Sequence, residues 1–207
     1  MIIITTQCFY PKIGGIESLM TGMADAMCDA DKDVLVLADG VKNVDDEKKK
    51  YKIKRFSGWK PYRRRRKAFY LKKFIANNNI EAIYADSWKS VEYLKQVNVK
   101  IVVLAHGTEI PKKYFDYFYA FLNIKKRRII KSYENCYKIA ANSAYTRDLM
   151  IASLKISSDK INIIHPGIDI YKDFISDEDR DNVKKIIRDS SPIITTLARV
   201  EKRKGHK

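Results

Sequence analysis

Short apolar runs alternate along the chain with segments whose apolar residues recur every three or four positions. Ile2–Thr6, Asp33–Ala38, Tyr51–Phe56, Glu81–Ala85, Lys100–Ala105, Lys138–Asn142, Ile161–His165 and Ile193–Leu197 have strand length. Several are apolar almost throughout, which suits strands covered on both faces, as in a parallel sheet. Between the first two runs, Ile16, Leu19, Met20, Met23, Ala24 and Met27 fall on one side of a 3.6-residue repeat and predict an amphipathic helix from Gly15 to Ala30. Further helices are predicted over 63–77, 88–96, 111–133, 143–153 and 178–189. This alternation predicts an α/β fold, a Rossmann-like parallel sheet flanked by helices, with right-handed crossovers. In such sheets ligands bind outside the carboxyl ends of the strands.

A boundary falls at Pro166-Gly167-Ile168-Asp169, which follows a strand and precedes the polar stretch from Tyr171 to Asp181. Residues 1–168 read as one domain. Residues 169–207 read as a linker and the opening of a second, incomplete domain, because a parallel strand at 193–197 would lack ladder partners and covering helices.

Composition narrows the setting. The 207 residues carry 41 Lys and Arg against 25 Asp and Glu, a net charge of +16, and 45% are hydrophobic. That excludes wholesale disorder and points to anionic partners. The longest apolar runs, such as Ile101–Ala105, fall far short of the roughly 20 residues that span a bilayer. Met1-Ile2-Ile3-Ile4 forms no basic n-region and no small-residue cleavage site follows, so no secretory signal is expected. Cys8, Cys28 and Cys136 have neither disulfide nor zinc spacing and read as buried thiols in a reducing compartment, which makes the expected location cytoplasmic.

Four segments carry candidate chemistry. Pro11-Lys12-Ile13-Gly14-Gly15-Ile16-Glu17 joins the first strand to the first helix. Its glycines permit close backbone approach, and the helix start offers N–H groups to an anion; a tight turn is the plainer reading. It is neither a dinucleotide fingerprint nor a P-loop. Ala105-His106-Gly107-Thr108-Glu109 ends the fifth strand, where an imidazole would face the crevice and could hydrogen-bond a sugar hydroxyl or phosphate. Ala141-Asn142-Ser143-Ala144-Tyr145-Thr146-Arg147 offers Asn142 or Ser143 as a helix cap at the same crevice. Leu197-Ala198-Arg199-Val200-Glu201-Lys202-Arg203-Lys204-Gly205 places a guanidinium and an ammonium where a diphosphate could be held without a metal; a solvated basic tail is the alternative.

In this order, together with Ile-Ile-His-Pro-Gly-Ile-Asp ending at Asp169, these segments resemble the family 4 glycosyltransferases of the GT-B fold. The resemblance implies two Rossmann-like domains facing a cleft, this chain supplying the acceptor-side domain and the start of the donor domain. It implies transfer of a sugar from a nucleotide-sugar to a glycan or lipid-linked acceptor, with retention of configuration. By the same resemblance Gly14 and Gly15 lie near the donor phosphates, His106 beside the transferred sugar as the catalytic candidate, and Arg199 and Lys204 on the diphosphate. Glu109, Asn142 and Ser143 fall at the acceptor or cleft side, and Asp169 at the inter-domain connection. The family's Glu-x7-Glu signature is not in the chain, so the chain alone is expected to be inactive. The nucleotide-sugar is a substrate, and neither cofactor nor metal is expected. Asp29-Ala30-Asp31 fits the Asp-x-Asp metal signature of GT-A enzymes but falls at a helix end and reads as a surface turn. A non-catalytic acceptor- or membrane-binding module pairing with a separate donor chain is the second reading, and a sugar-nucleotide epimerase the third.

A last feature is basic. Lys60 to Lys73 holds eight Lys and Arg and no acid. On a helix, Arg65, Arg66, Lys72 and Lys73 share one side with Phe69 among them, opposite Ala68, Leu71, Phe74 and Ile75. A second cluster, Lys125-Lys126-Arg127-Arg128 with Lys131, follows the aromatic run Tyr114–Tyr119. A solvated face of a lysine-rich protein is weighed against peripheral attachment to an anionic membrane surface, which an aromatic ring inside a cationic stripe suits. Nucleic acid comes third, because no recognised binding module is present.

Overall fold

The computed structural model describes residues 1–95, 97–111, 120–167 and 176–187, and of 120–123 the helical backbone alone. The predicted strand at 193–197, the aromatic run 114–119, Asp169, Arg199 and Lys204 lie outside the described residues. The chain divides into two compact units, Met1–Gly167 and Ile168–Lys207.

In the first unit the apolar runs become β1 (Ile2–Thr6), β2 (Val34–Asp39), β3 (Lys52–Phe56), β4 (Ala82–Ala85), β5 (Lys100–Ala105), β6 (Lys138–Ala141) and β7 (Ile161–Ile163). All pair in parallel, in the order β3-β2-β1-β4-β5-β6-β7. Every residue of β1 and β2 is buried, as strands covered on both faces require. Alternation along these strands divides the core in two. Ile4, Val34, Val36 and Ala38 face Met20 and Ala24 of helix α1 (Gly15–Asp29). Ile3, Leu35 and Leu37 belong to the other layer. That layer is covered by α2 (Lys60–Ala76), α3 (Trp88–Val91), α4 (Ala120–Glu134) and α5 (Ala144–Leu154), through Leu71, Trp88, Ile129 and Met150 among others.

Two local expectations change. The helix expected over 88–96 is one turn, 88–91. Trp88, Val91 and Leu94 are all buried, and the Leu94 N–H donates to the Val91 carbonyl, so the chain leaves the helix on a three-residue repeat. The segment after β2 contains a 3-10 turn at Val44–Lys48 that the apolar pattern does not signal. It is held by polar groups: the Asp45 N–H donates to Asn43 Oδ1 at 2.9 Å, and the Asn43 N–H to Asp46 Oδ2 at 3.1 Å.

In the second unit, α6 spans Asp177–Ile187. Ser176 caps it, accepting from the Asp179 N–H at 3.0 Å. Acids fill its first turn and Lys184 and Lys185 its last, matching the helix dipole.

Candidate functional site

The strand order reverses at β1, which has β2 on one side and β4 on the other. A crevice forms outside the carboxyl ends at such a point. Its floor is a polar network centred on Asp86, the residue after β4, whose side chain is buried. Asp86 Oδ2 accepts the Gln7 N–H at 2.7 Å and lies 3.0 Å from Thr6 Oγ1. Asp86 Oδ1 accepts the Ser90 hydroxyl at 2.6 Å. The loop after β1 is thereby tied to the loop after β4.

His106 follows β5 and joins the same network. Its Nε2 lies 2.9 Å from the Asp86 carbonyl oxygen. A carbonyl only accepts, so Nε2 carries the proton, and in the neutral ring Nδ1 is the remaining acceptor. The His106 N–H donates to Glu109 Oε1 at 2.9 Å, and the buried Tyr133 hydroxyl approaches the same oxygen at 3.2 Å. Burial, and next Glu109, push the Tyr133 hydroxyl well above its ordinary pKa, so it stays a donor. The sequence placed Glu109 at the cleft without a task; here one of its oxygens closes the 106–109 turn.

The loop after β6 packs against this turn. Of the two cap candidates Ser143 is the cap, its Oγ accepting the Thr146 N–H at 3.2 Å. Asn142 extends the ladder through its N–H to the Ala105 carbonyl at 3.1 Å, and its Oδ1 accepts the Thr146 hydroxyl at 2.6 Å. Gly107, at φ 86°, passes so close that a Cβ there would sit 2.8 Å from Thr146 Oγ1.

The loop after β1 leads into α1. Gly14 precedes the helix, and a Cβ on it would collide with the Glu17 carboxylate, while Gly15 faces open space. The Cys8 N–H donates to Thr6 Oγ1 at 2.9 Å. Burial, with the Asp86 and Glu17 carboxylates, pushes the Cys8 thiol up to about 12, so it is not a nucleophile at neutral pH. Hydrogen bonds therefore run from the Cys8 N–H through Thr6 and Asp86 to His106, and His106 adjoins Asn142. The loop after β1 is also anchored from outside: the buried Arg55 guanidinium donates to the Tyr10 carbonyl at 2.6 Å and to both oxygens of Asp46, each at 2.6 Å. Burial opposes ionisation of Asp46, but Arg55 and the Asn43 N–H outweigh it and hold its carboxyl below the usual value.

The basic segment divides in two. Arg65, Arg66, Phe69, Lys72 and Lys73 are exposed, but the run is not one cationic face. Lys67, 1% exposed, turns inward and donates to Asp39 Oδ1 at 2.9 Å and to the Thr6 carbonyl at 2.8 Å. Arg63 reaches Asp39 Oδ2 at 2.8 Å, and Arg64 approaches Glu92 at 3.6 Å. These three share the helix side of Ala68 and Leu71, which faces the sheet. Asp29, at the end of α1, pairs with Lys50 at 2.6 Å, and Asp31 lies two residues beyond it at φ 58°.

Among the residues to which sequence reasoning gave no role, Asp86 and Gln7 join this network, as does Thr146, which stands within the 141–147 segment. Asp86 had a signal, an acid directly after the apolar run Ala82–Ala85 at a carboxyl end. Gln7 enters through its backbone, which no residue type announces.

A parallel sheet of this order, with its polar loops gathered over the carboxyl ends, is a Rossmann-like domain of the kind GT-B glycosyltransferases contain. The chain belongs to Glycosyltransferase Family 4, whose family model matches residues 13–172. Among solved structures it is similar to Anabaena Alr3699/HepE in complex with UDP, with 15% identity and TM-score 0.63, covering 90% of this chain and 50% of that one. It is also similar to the lipopolysaccharide outer core galactosyltransferase WaaB, with 12% identity and TM-score 0.57, covering 84% and 48%. A third similar structure is the UDP-GlcNAc 2-epimerase from Methanocaldococcus jannaschii, with 11% identity and TM-score 0.52, covering 79% and 45%. The chain thus spans about half the length of the solved structures it matches. A comparison with curated protein sequences finds no match. Among the described residues no helix is long and apolar enough to cross a membrane.

Proposed function

We propose that this chain forms the acceptor-side half of a retaining glycosyltransferase, which moves a sugar from a nucleotide-sugar to a glycan or lipid-linked acceptor. The observation that carries the reading is the placement of His106, whose Nε2 is committed to the Asp86 carbonyl beside the switch point of the sheet. Nδ1 then serves as the acceptor for a hydroxyl of the transferred sugar. The Asn142 amide and the backbone around Gly14 and Gly15 supply further polar contacts at the same crest. In the transfer, the bond between the anomeric carbon and the diphosphate oxygen breaks, and its electron pair stays on the diphosphate. The acceptor hydroxyl oxygen bonds to that carbon on the same face, and its proton passes to the departing diphosphate oxygen. Charge on the departing diphosphate is balanced by the α1 N-terminus; Arg199 and Lys204, which the resemblance assigns to the diphosphate, lie outside the described residues. UDP in the similar Anabaena structure supports a nucleotide-sugar donor.

The test is a transfer assay on the protein carrying this chain, with labelled nucleotide-sugars and glycan or lipid-linked acceptors. Label is expected to enter the acceptor fraction. His106→Gln keeps a donor for the Asp86 carbonyl but loses the Nδ1 acceptor, and should lower kcat/KM about tenfold, the value of one hydrogen bond of roughly 1.4 kcal/mol. His106→Asn, with an amide near the Nδ1 position, should lose less. Isomerisation of the donor without acceptor consumption would contradict the reading and favour an epimerase, a class that shares this fold.

A further inference from the structure

The outward side of α2 is not used by the crest. Tyr62, Arg65, Arg66, Phe69, Lys72 and Lys73 follow one another at steps of one and three, so they form a single stripe along the 17-residue helix. All six are exposed, Phe69 at 73%, and Trp59 at the helix start is 76% exposed. Among the described residues none of the four cations pairs with an acid. Arg66 lies 5.5 Å from the Tyr62 ring and Arg65 5.6 Å from the Tyr93 ring, so the guanidinium groups lie along aromatic surface.

The neighbouring helix carries a second stripe. On α4, Ile124, Arg127 and Lys131 recur at steps of three and four and are all exposed, Ile124 at 57%. Both helices cover the same layer of the core. Glu92, just after α3, clips them together: it meets Arg64 of α2 at 3.6 Å and Arg128 of α4 at 2.5 Å. That acid is consumed by two cations turned toward it. The stripes that point outward keep their charge, each with an apolar side chain set among its cations.

We propose that α2 and α4 together dock this domain on an anionic lipid bilayer. Phe69 and Tyr62 enter the boundary between headgroups and acyl chains, while Arg65, Arg66, Lys72 and Lys73 meet lipid phosphates. Phe69 has a cation three and four residues away on both sides, so its burial in the interface brings all four charges to the headgroup plane. This choice of partner over nucleic acid rests on those exposed apolar side chains, which a phosphate backbone alone would leave in water. The proposal is independent of the transfer reading, since none of these residues touches the crest.

The test is vesicle flotation of the 207-residue chain. Vesicles of phosphatidylcholine containing phosphatidylglycerol should carry the protein upward at low salt, with release at high salt, and pure phosphatidylcholine vesicles should not. Lys72→Ala with Lys73→Ala should weaken partition at least about fivefold, the value of a single headgroup contact of about 1 kcal/mol. Phe69→Ala should weaken it by a similar factor and leave the salt dependence in place. All three positions are exposed, and an unchanged thermal melt confirms that the variants are folded. Equal binding to both vesicle types, indifference to all of these substitutions, or binding to oligonucleotides with none to vesicles would each overturn the proposal.

Discussion

Replacing Asp39 with alanine should lower the unfolding free energy by about 3–5 kcal/mol, the usual cost of stripping one partner from a buried ion pair. Asp39 closes β2 and is 5% exposed. Its two oxygens separately hold Lys67 at 2.9 Å and Arg63 at 2.8 Å. Without the carboxylate, the Lys67 ammonium keeps only the Thr6 carbonyl, and two like charges face each other in a water-poor interior. A loss of that size is a large share of a typical domain's 5–15 kcal/mol. Lys67→Met should cost less, because the Arg63 charge still faces Asp39 at 2.8 Å. Combining Asp39→Asn with Lys67→Met should recover most of the stability lost in Asp39→Ala, since no charge then remains unpaired at the Lys67 position. Urea unfolding followed by circular dichroism reads all three. A loss below about 1 kcal/mol for Asp39→Ala, the range of an exposed pair, would mean that Lys67 escapes to solvent.

Gly107→Ala should cost about 2 kcal/mol or more and loosen the crest. The backbone at φ 86° already carries a penalty of about 1–2 kcal/mol for any residue with a Cβ. The new methyl would also sit 2.8 Å from Thr146 Oγ1. Thr146 is 2% exposed and β-branched, so it has little room to turn away. Moving it breaks the 2.6 Å bond from its hydroxyl to Asn142 Oδ1. A double-mutant cycle separates the two costs. Thr146→Ala removes the collision but not the backbone strain, so the double variant should be more stable than the sum of the single losses predicts. Strict additivity would show that the two loops do not press on each other.

The sheet was legible because its signal is local. Runs such as Ile2–Thr6 and Lys100–Ala105 are apolar without interruption, and both strands have the bounds the pattern predicts. Helix α2 was legible on its outer side, where Phe69 sits among cations, but not on its inner side. Arg63, Arg64 and Lys67 look the same in sequence as Arg65 and Arg66. Their burial depends on Asp39 and Glu92, which lie more than twenty residues away in the chain and meet them only in the folded state. The 3-10 turn after β2 escaped for a similar reason, since side-chain oxygens of Asn43 and Asp46 hold it rather than apolar periodicity. At the site, His106, Asn142 and Ser143 were found because imidazole, amide and hydroxyl groups at strand ends are chemically conspicuous. Asp86 was not, and Thr146 stood in its segment without a role, because both act through side-chain contacts to neighbouring loops.

The crest above β1, β4, β5 and β6 is, in the proposed function, the surface that meets the sugar nucleotide. The most direct measurement is a chemical-shift titration of the isotopically labelled protein that carries this chain with UDP-glucose, UDP-N-acetylglucosamine and GDP-mannose, with inorganic phosphate as control. For at least one nucleotide-sugar, saturable shifts should appear at Gly14, Gly15, His106 and Asn142, with phosphate reproducing at most those at the two glycines. Silence at His106 and Asn142 with every nucleotide-sugar, or shifts gathered instead at the opposite ends of the strands around Lys100 and Tyr137, would contradict it.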